Sequence, residues 1–177
     1  MSSSKKLKVL ERILTRHDLS IRPDMRKSDP ESVRQLMLES FKAYDLNSLV
    51  IWYGRNPESF LKEYVGANQE RRVGRIIEDK RRNVVGSGCI IQHCAKKPDL
   101  AELSKVYIDP KYQGRGIGKA LVTYLLTHAK SQGFTSVYLS TRIEFAIALR
   151  MYEHMGFVRI PHPYYSSPKS VAMQLDL

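Results

Sequence analysis

Residues 103–130, "LSKVYIDPKYQGRGIGKALVTYLLTHAK", decide how this chain folds. The stretch opens on β-favouring residues and breaks at Asp109-Pro110. It closes on a run with Leu121, Val122, Leu125, Leu126 and Ala129 on one side. The opening reads as a strand, and the spacing of the apolar residues reads as a helix over 116–131. Between them Gly114, Gly116 and Gly118 fall as G-x-G-x-G. Without a Cβ, such a turn can take left-handed dihedrals and aim successive N–H groups at one point. The helix adds its unpaired first-turn donors and the positive end of its dipole. A phosphate or pyrophosphate suits that arrangement, and Arg115 and Lys119 add charge. The alternative is structural: a glycine turn also lets a helix pack tightly on a sheet. The spacing matches neither a Walker loop, which needs a Lys-Ser/Thr pair, nor a G-x-G-x-x-G dinucleotide fingerprint.

Working outward, residues 19–24 read as a short strand and 28–44 as a helix. Asp29 is placed as its cap, Pro30 in its first turn, and Val33, Leu36, Met37 and Phe41 on its apolar face. A second helical stretch is interrupted around 53–59, and "SFLKEYV" (59–65) is helical in pattern. Strands over 72–78 and 84–93 are joined by the turn "DKRRN", and 101–109 is another strand. Gly133 sits where a C-cap glycine belongs. A strand over 135–141, a helix over 144–155 stopped by Gly156, and strands over 157–160 and 170–177 complete the chain. A proline-tyrosine loop, "PHPYYSSPK" (161–169), separates the last two. The order predicts an α/β fold: a single-domain, mixed, mainly antiparallel central sheet flanked by helices.

The chain has 177 residues, 42% of them apolar and 27% charged, in keeping with one soluble globular domain. No apolar run reaches the length of a membrane span, so no membrane partner is expected. Cys89 and Cys94 have no histidines at a zinc spacing, so no metal is expected. Two reduced thiols fit a cytoplasmic protein. The net charge of +11 favours acidic partners such as nucleotide phosphates. Part of it sits in residues 1–18, a basic N-terminal segment set apart from a domain over 19–177. Targeting segment, surface arm and added helix are all open for it, with an ordinary solvated segment as the default. The mixed cluster "ERRVGRIIEDKRR" (70–82) reads as the wet face of a hairpin.

Two motifs carry a resemblance to a known family. Gln113-Gly114-Arg115-Gly116-Ile117-Gly118, after "VYIDPKY", resembles the central Gln/Arg-x-x-Gly-x-Gly/Ala motif of the GNAT superfamily of acetyl-CoA-dependent N-acetyltransferases. "ALRMYEHMGF" (148–157) is similar to its second motif, in the family's order and at a usual separation. The resemblance covers roughly residues 19–177 and implies the GNAT-like acyl-CoA N-acyltransferase fold. Its implied function is transfer of acetyl from acetyl-CoA, a co-substrate, to a primary amine by direct attack in a ternary complex. A small-molecule acceptor is expected; a protein or histone lysine, or a non-catalytic CoA-binding module, are the alternatives. Nucleic acid is disfavoured as a partner and a homodimer is left open. The proline-tyrosine ending resembles a branch of small GNAT proteins, which points away from a specialised ribosomal-protein acetyltransferase.

The resemblance also implies roles. Backbone groups of Val106, Tyr107 and Ile108 would pair with the pantetheine arm. Gln113 and the amides of Gly114, Arg115, Gly116, Ile117, Gly118 and Lys119 would hold the pyrophosphate. Tyr152 matches the tyrosine proposed to protonate the departing thiolate; the alternative is a packing tyrosine. A phenol can give its proton to a thiolate of comparable basicity. Glu102 matches the strand glutamate that some members use as a base, and an ordinary charged residue at a strand start is an equal reading. Ser140 stands where other members place a base glutamate, and Phe145 replaces an asparagine common among relatives. His93, His154 and His162 read as surface or packing residues. Tyr164 and Tyr165 read as either an acceptor wall or a structural loop.

Overall fold

A computed structural model of the chain describes residues 3–22, 26, 28–57, 73–94, 97–161 and 168–177. The elements run α1 (Ser3–Thr15), β1 (Ser20–Arg22), α2 (Asp29–Ala43), α3 (Asn47–Arg55), β2 (Val73–Glu78), β3 (Val84–Cys94) and β4 (Lys97–Ile108). After a 3-10 turn at Pro110–Tyr112 come α4 (Ile117–Ser131), β5 (Ser136–Arg142), α5 (Ala146–His154), β6 (Val158–Ile160) and β7 (Ser170–Asp176). The strands form one seven-stranded sheet in the order β1-β2-β3-β4-β5-β7-β6. Every neighbouring pair is antiparallel except β4 and β5. The expected mixed, mainly antiparallel sheet is therefore present. The helical reading of 59–65 and the proline-tyrosine residues 162–167 lie outside the described residues.

α4 lies on one face of the sheet over β3 and β4, and α2 also packs on β3 and β4. Gly88 of β3 explains how closely α4 approaches: a Cβ there would stand 3.0 Å from Leu125 and 3.2 Å from Leu121. Leu121, Leu125, Val122 and Ala129 are fully buried, as their helical spacing predicts. The second cluster joins Val33, Met37 and Phe41 of α2 to Ile76 of β2.

Three local readings change. Residues 3–15 are a core helix rather than a solvated segment: Leu10 and Leu14 are 0% exposed, and α1 lies along α4. Leu7, Leu10 and Leu14 make a stripe at i, i+3 and i+7, while Lys5, Lys8, Glu11 and Arg12 face solvent. Leu7, Leu10, Val9, Ile13 and Leu14 roughly follow a helical stripe already in the sequence, where the density of lysine favours the solvated reading. Asp29 does not cap α2 but accepts two hydrogen bonds from the Arg22 guanidinium, at 2.8 and 3.0 Å, and one from the Arg26 N–H. Finally, the 70–82 cluster is not uniformly wet. Glu78 is 1% exposed and is held by Arg22 and Arg26, and Arg75 lies 5.1 Å over the Tyr124 ring. A buried carboxylate is tolerated when paired and hydrogen-bonded in this way.

The parallel junction creates the site. β4 and β5 pair only at Leu100–Ser136, Ala101–Val137 and Glu102–Tyr138. Beyond Glu102, β4 stays with β3 and β5 stays with β7, so the two half-sheets part. A bulge in β4 marks the same place. Ser87 pairs with Tyr107 and Cys89 with Ser104, which sets Lys105 and Val106 against Gly88 alone, and Lys105 takes φ +55. An extra residue bends its strand and sharpens the local twist. Ser87, 1% exposed, donates to the Lys105 carbonyl at 2.7 Å and pins the bulge.

Candidate active site

A cavity of about 900 Å³ fills the opening between β4 and β5. Its walls come from β4 residues Glu102–Ile108, β5 residues Leu139–Arg142, the glycine turn, α2, α3 and the start of α5.

The glycine turn forms one part of the wall. Asp109 accepts a bond from the Lys111 N–H at 2.9 Å and tightens the entry. Gly114 and Gly116 then take φ +74 and +76, left-handed values that an L-residue with a Cβ adopts at a cost. Positions 114 and 116 have no atom within 4 Å of an added Cβ, so their glycines answer to conformation and not to crowding. The first helical bond runs from the Ala120 N–H to the Gly116 carbonyl, 3.0 Å. Among the described residues, no backbone carbonyl takes the N–H groups of residues 114–119. Six successive donors at a helix start are an anion site in the terms set by backbone geometry.

The side chains of the turn divide. Gln113 lines the cavity, and its amide donates to the Ile108 carbonyl at 2.9 Å, so it fixes the turn to the end of β4. Lys119 also lines the cavity. Arg115 does not; it donates to the Lys111 carbonyl at 3.0 Å and sits 5.4 Å over the Tyr112 ring. Ile117 is buried and anchors the helix start. Gly118 lies beside α5, where a Cβ would make ordinary contact with Met151 Sδ at 3.8 Å.

Tyr152, the next residue after Met151, lines the cavity. Tyr152 is 6% exposed and its ring meets Phe157 edge-on at 5.6 Å between centroids. Burial, reinforced by the nearby Tyr107, pushes its phenol well above the usual tyrosine range. Val106, Tyr107 and Ile108 line the same cavity from β4.

Glu102 lies at the last β4–β5 pair, where the sheet begins to open. One of its oxygens is 3.0 Å from Nδ1 of His93 on β3, and the His93 ring lies 4.9 Å from Tyr138. His93, read as a surface or packing residue, packs against Tyr138 and is also the partner of the only carboxylate among the described lining residues. His154 bonds the Arg150 carbonyl on the surface, away from the cavity. His162, Tyr164 and Tyr165 lie outside the described residues. Among those residues no group of His, Cys, Asp and Glu is arranged to hold a metal. No described helix is long and apolar enough to cross a membrane.

Sequence reasoning missed an aromatic wall. Phe145, noted only as a departure from asparagine, stacks on Phe41 at 5.9 Å and meets Tyr44 edge-on at 4.9 Å. Phe41 in turn lies 5.9 Å from Tyr53, and all four line the cavity. The rings come from α2, α3 and the β5–α5 junction, and no short motif spans them.

With the geometry in place, three comparisons bear on it. Residues 31–157 match the model of the acetyltransferase (GNAT) family. An uncharacterised N-acetyltransferase of Escherichia coli, YjgM, is 35% identical over 79 residues, 45% of this chain and 47% of that protein. The Escherichia coli ribosomal protein bS18-alanine N-acetyltransferase is 36% identical over 59 residues, 33% of this chain and 40% of that one. That likeness gives no support to the sequence-based pointer away from ribosomal-protein acetyltransferases. The matched stretches thus span about half the length of these curated relatives or less. Among solved structures, the PaiA N-acetyltransferase of Thermoplasma acidophilum in complex with coenzyme A shares the fold. Its TM-score is 0.68 at 15% identity, covering 90% of this chain and 99% of that one. Since the family model covers well over half of the sequence, this chain belongs to the GNAT acetyltransferase family.

Proposed function

We propose that the protein transfers acetyl from acetyl-CoA to the primary amine of a small molecule. The observation that carries this reading is the run of N–H donors at 114–119 opening into the β4–β5 cavity beside Tyr152. The pyrophosphate rests on those donors, and the pantetheine arm lies along Val106, Tyr107 and Ile108. The neutral amine attacks the thioester carbon, forming C–N as the carbonyl oxygen takes up negative charge. A β4 N–H steadies that charge. Collapse of the intermediate breaks C–S. The amine proton goes to Glu102, held by His93, and the thiolate takes the Tyr152 proton. Because burial disfavours the phenolate, Tyr152 is protonated at neutral pH; the same burial weakens it as an acid, so the transfer depends on a thiolate formed in contact with it in the same desolvated cavity. No covalent enzyme intermediate is needed, since the thioester is already activated; positioning supplies the rate.

The test is CoA release from acetyl-CoA against a panel of amino acids, polyamines, aralkylamines, aminoglycosides and peptides. Turnover of a small amine is expected. Exclusive turnover of peptides would move the acceptor to protein, a second reading that the ribosomal-protein relative supports. CoA binding without any turnover would leave only a binding module.

A further inference from the structure

We propose that the acceptor is a primary amine with a single positive charge and an aromatic or bulky apolar body, seated against Phe41, Tyr44, Tyr53 and Phe145. The assignment rests on the transferase reading above and names its substrate class.

The four rings are built to receive such a body. They project from α2, α3 and the β5–α5 junction onto one cavity, and each is fixed by another: Phe145 on Phe41 and Tyr44, Phe41 on Tyr53. Rings that brace one another lose little freedom when a ligand arrives, so contact made there goes into affinity. Phe41 is buried and forms the floor. Tyr44, Tyr53 and Phe145 are half-exposed and have surface left to cover. An apolar ligand body removes that surface from water, and an arriving ammonium is attracted to the ring faces.

Charge narrows the class. Lys105 and Lys119 line the same cavity, Arg142, which also lines it, is paired with Glu144 at 2.8 Å, and Glu102 is the one carboxylate among the described lining residues. A polyamine would have to hold a second ammonium near these lysines without a second carboxylate among the described lining residues, which is repulsive in a partly closed site. A monoamine carries one charge, loses it before attack, and leaves only its body to be bound.

The experiment measures CoA release at saturating acetyl-CoA with phenethylamine, propylamine, spermidine and a peptide beginning in alanine. Burial of the phenyl group should raise kcat/KM for phenethylamine roughly tenfold to a hundredfold over propylamine. Spermidine should fall below phenethylamine. Phe145→Ala should collapse the phenethylamine preference. Tyr44→Leu, which keeps the bulk near α2, should reduce it in the same direction if Phe145→Ala does not fold. Preference for spermidine or the peptide overturns this assignment and leaves the transferase reading standing. So does a preference that neither folded variant alters. Failure of every amine to release CoA overturns both.

Discussion

The two ends of the cavity are built by different means. The glycine turn is backbone: consecutive N–H groups of 114–119, freed by left-handed Gly114 and Gly116 and aimed by the start of α4. The aromatic end is side chain: four rings from segments as far apart as Phe41 and Phe145. A backbone site is written in one contiguous stretch and tolerates little change of residue type at its glycines. A side-chain site is assembled by the fold and can be rewritten one residue at a time. The first suits a ligand common to a family, and the second suits one that differs between members.

Gly116→Asp tests the contrast most severely. It forces a Cβ into φ +76 and sets a carboxylate at the anion site. Calorimetry should show no measurable CoA binding, whatever the acceptor; retained affinity would break the backbone half of the comparison. Next comes Tyr152→Phe, which should lower kcat about a hundredfold with CoA affinity within about twofold of the parent. Its pH behaviour sharpens the point. With the phenol raised by burial, wild-type kcat should show no loss from Tyr152 as pH passes about 10, where free tyrosine titrates. Stability has the matching sign: the native state keeps the phenol protonated, so stability is intact below the unfolded value and is lost as pH rises toward the folded one. Tyr152→Phe should remove that alkaline loss in a pH series of thermal melts.

Glu102→Gln should have a smaller effect, lowering kcat/KM about tenfold to a hundredfold at neutral pH, with partial recovery as pH rises and the amine sheds its own proton. An unchanged profile would assign Glu102 a structural role with His93. The smallest kinetic effect is expected from Leu14→Ala. It should cost about 2–5 kcal/mol in denaturant melts by opening a cavity under α1, while KM and kcat stay at parent values wherever the protein is folded. A shift in KM for acetyl-CoA would tie α1 to the cofactor end through α4.

What the sequence discloses follows the same division. The turn at 112–118, the α4 stripe and the alternating β7 residues Val171 and Met173 signal structure by local pattern, and each is found where that pattern points. Tyr152 was legible because its motif is contiguous. His93 and Glu102 were not legible as a pair, because β3 and β4 bring them together only through strand register: Ile91 faces Glu102, and His93 lies just beyond. The aromatic wall was invisible for the same reason. α1 reads as solvated on a different ground, since a three-leucine stripe is short and five basic or acidic residues, Lys5, Lys6, Lys8, Glu11 and Arg12, crowd it. Asp29 had the right residue type for a cap and a better partner in Arg22, a choice made by tertiary contact and not by propensity.

The three-residue ladder between β4 and β5 carries a thermodynamic consequence. Under the proposed function, the pantetheine amides take the place of the ladder bonds that β5 does not make beyond Glu102, so the co-substrate acts as a surrogate strand joining the half-sheets. Folding and occupancy are then linked by mass action: a ligand at a hundred times its Kd adds about 2.7 kcal/mol to the native state. The melting temperature of this protein should then rise with the acetyl-CoA concentration around it.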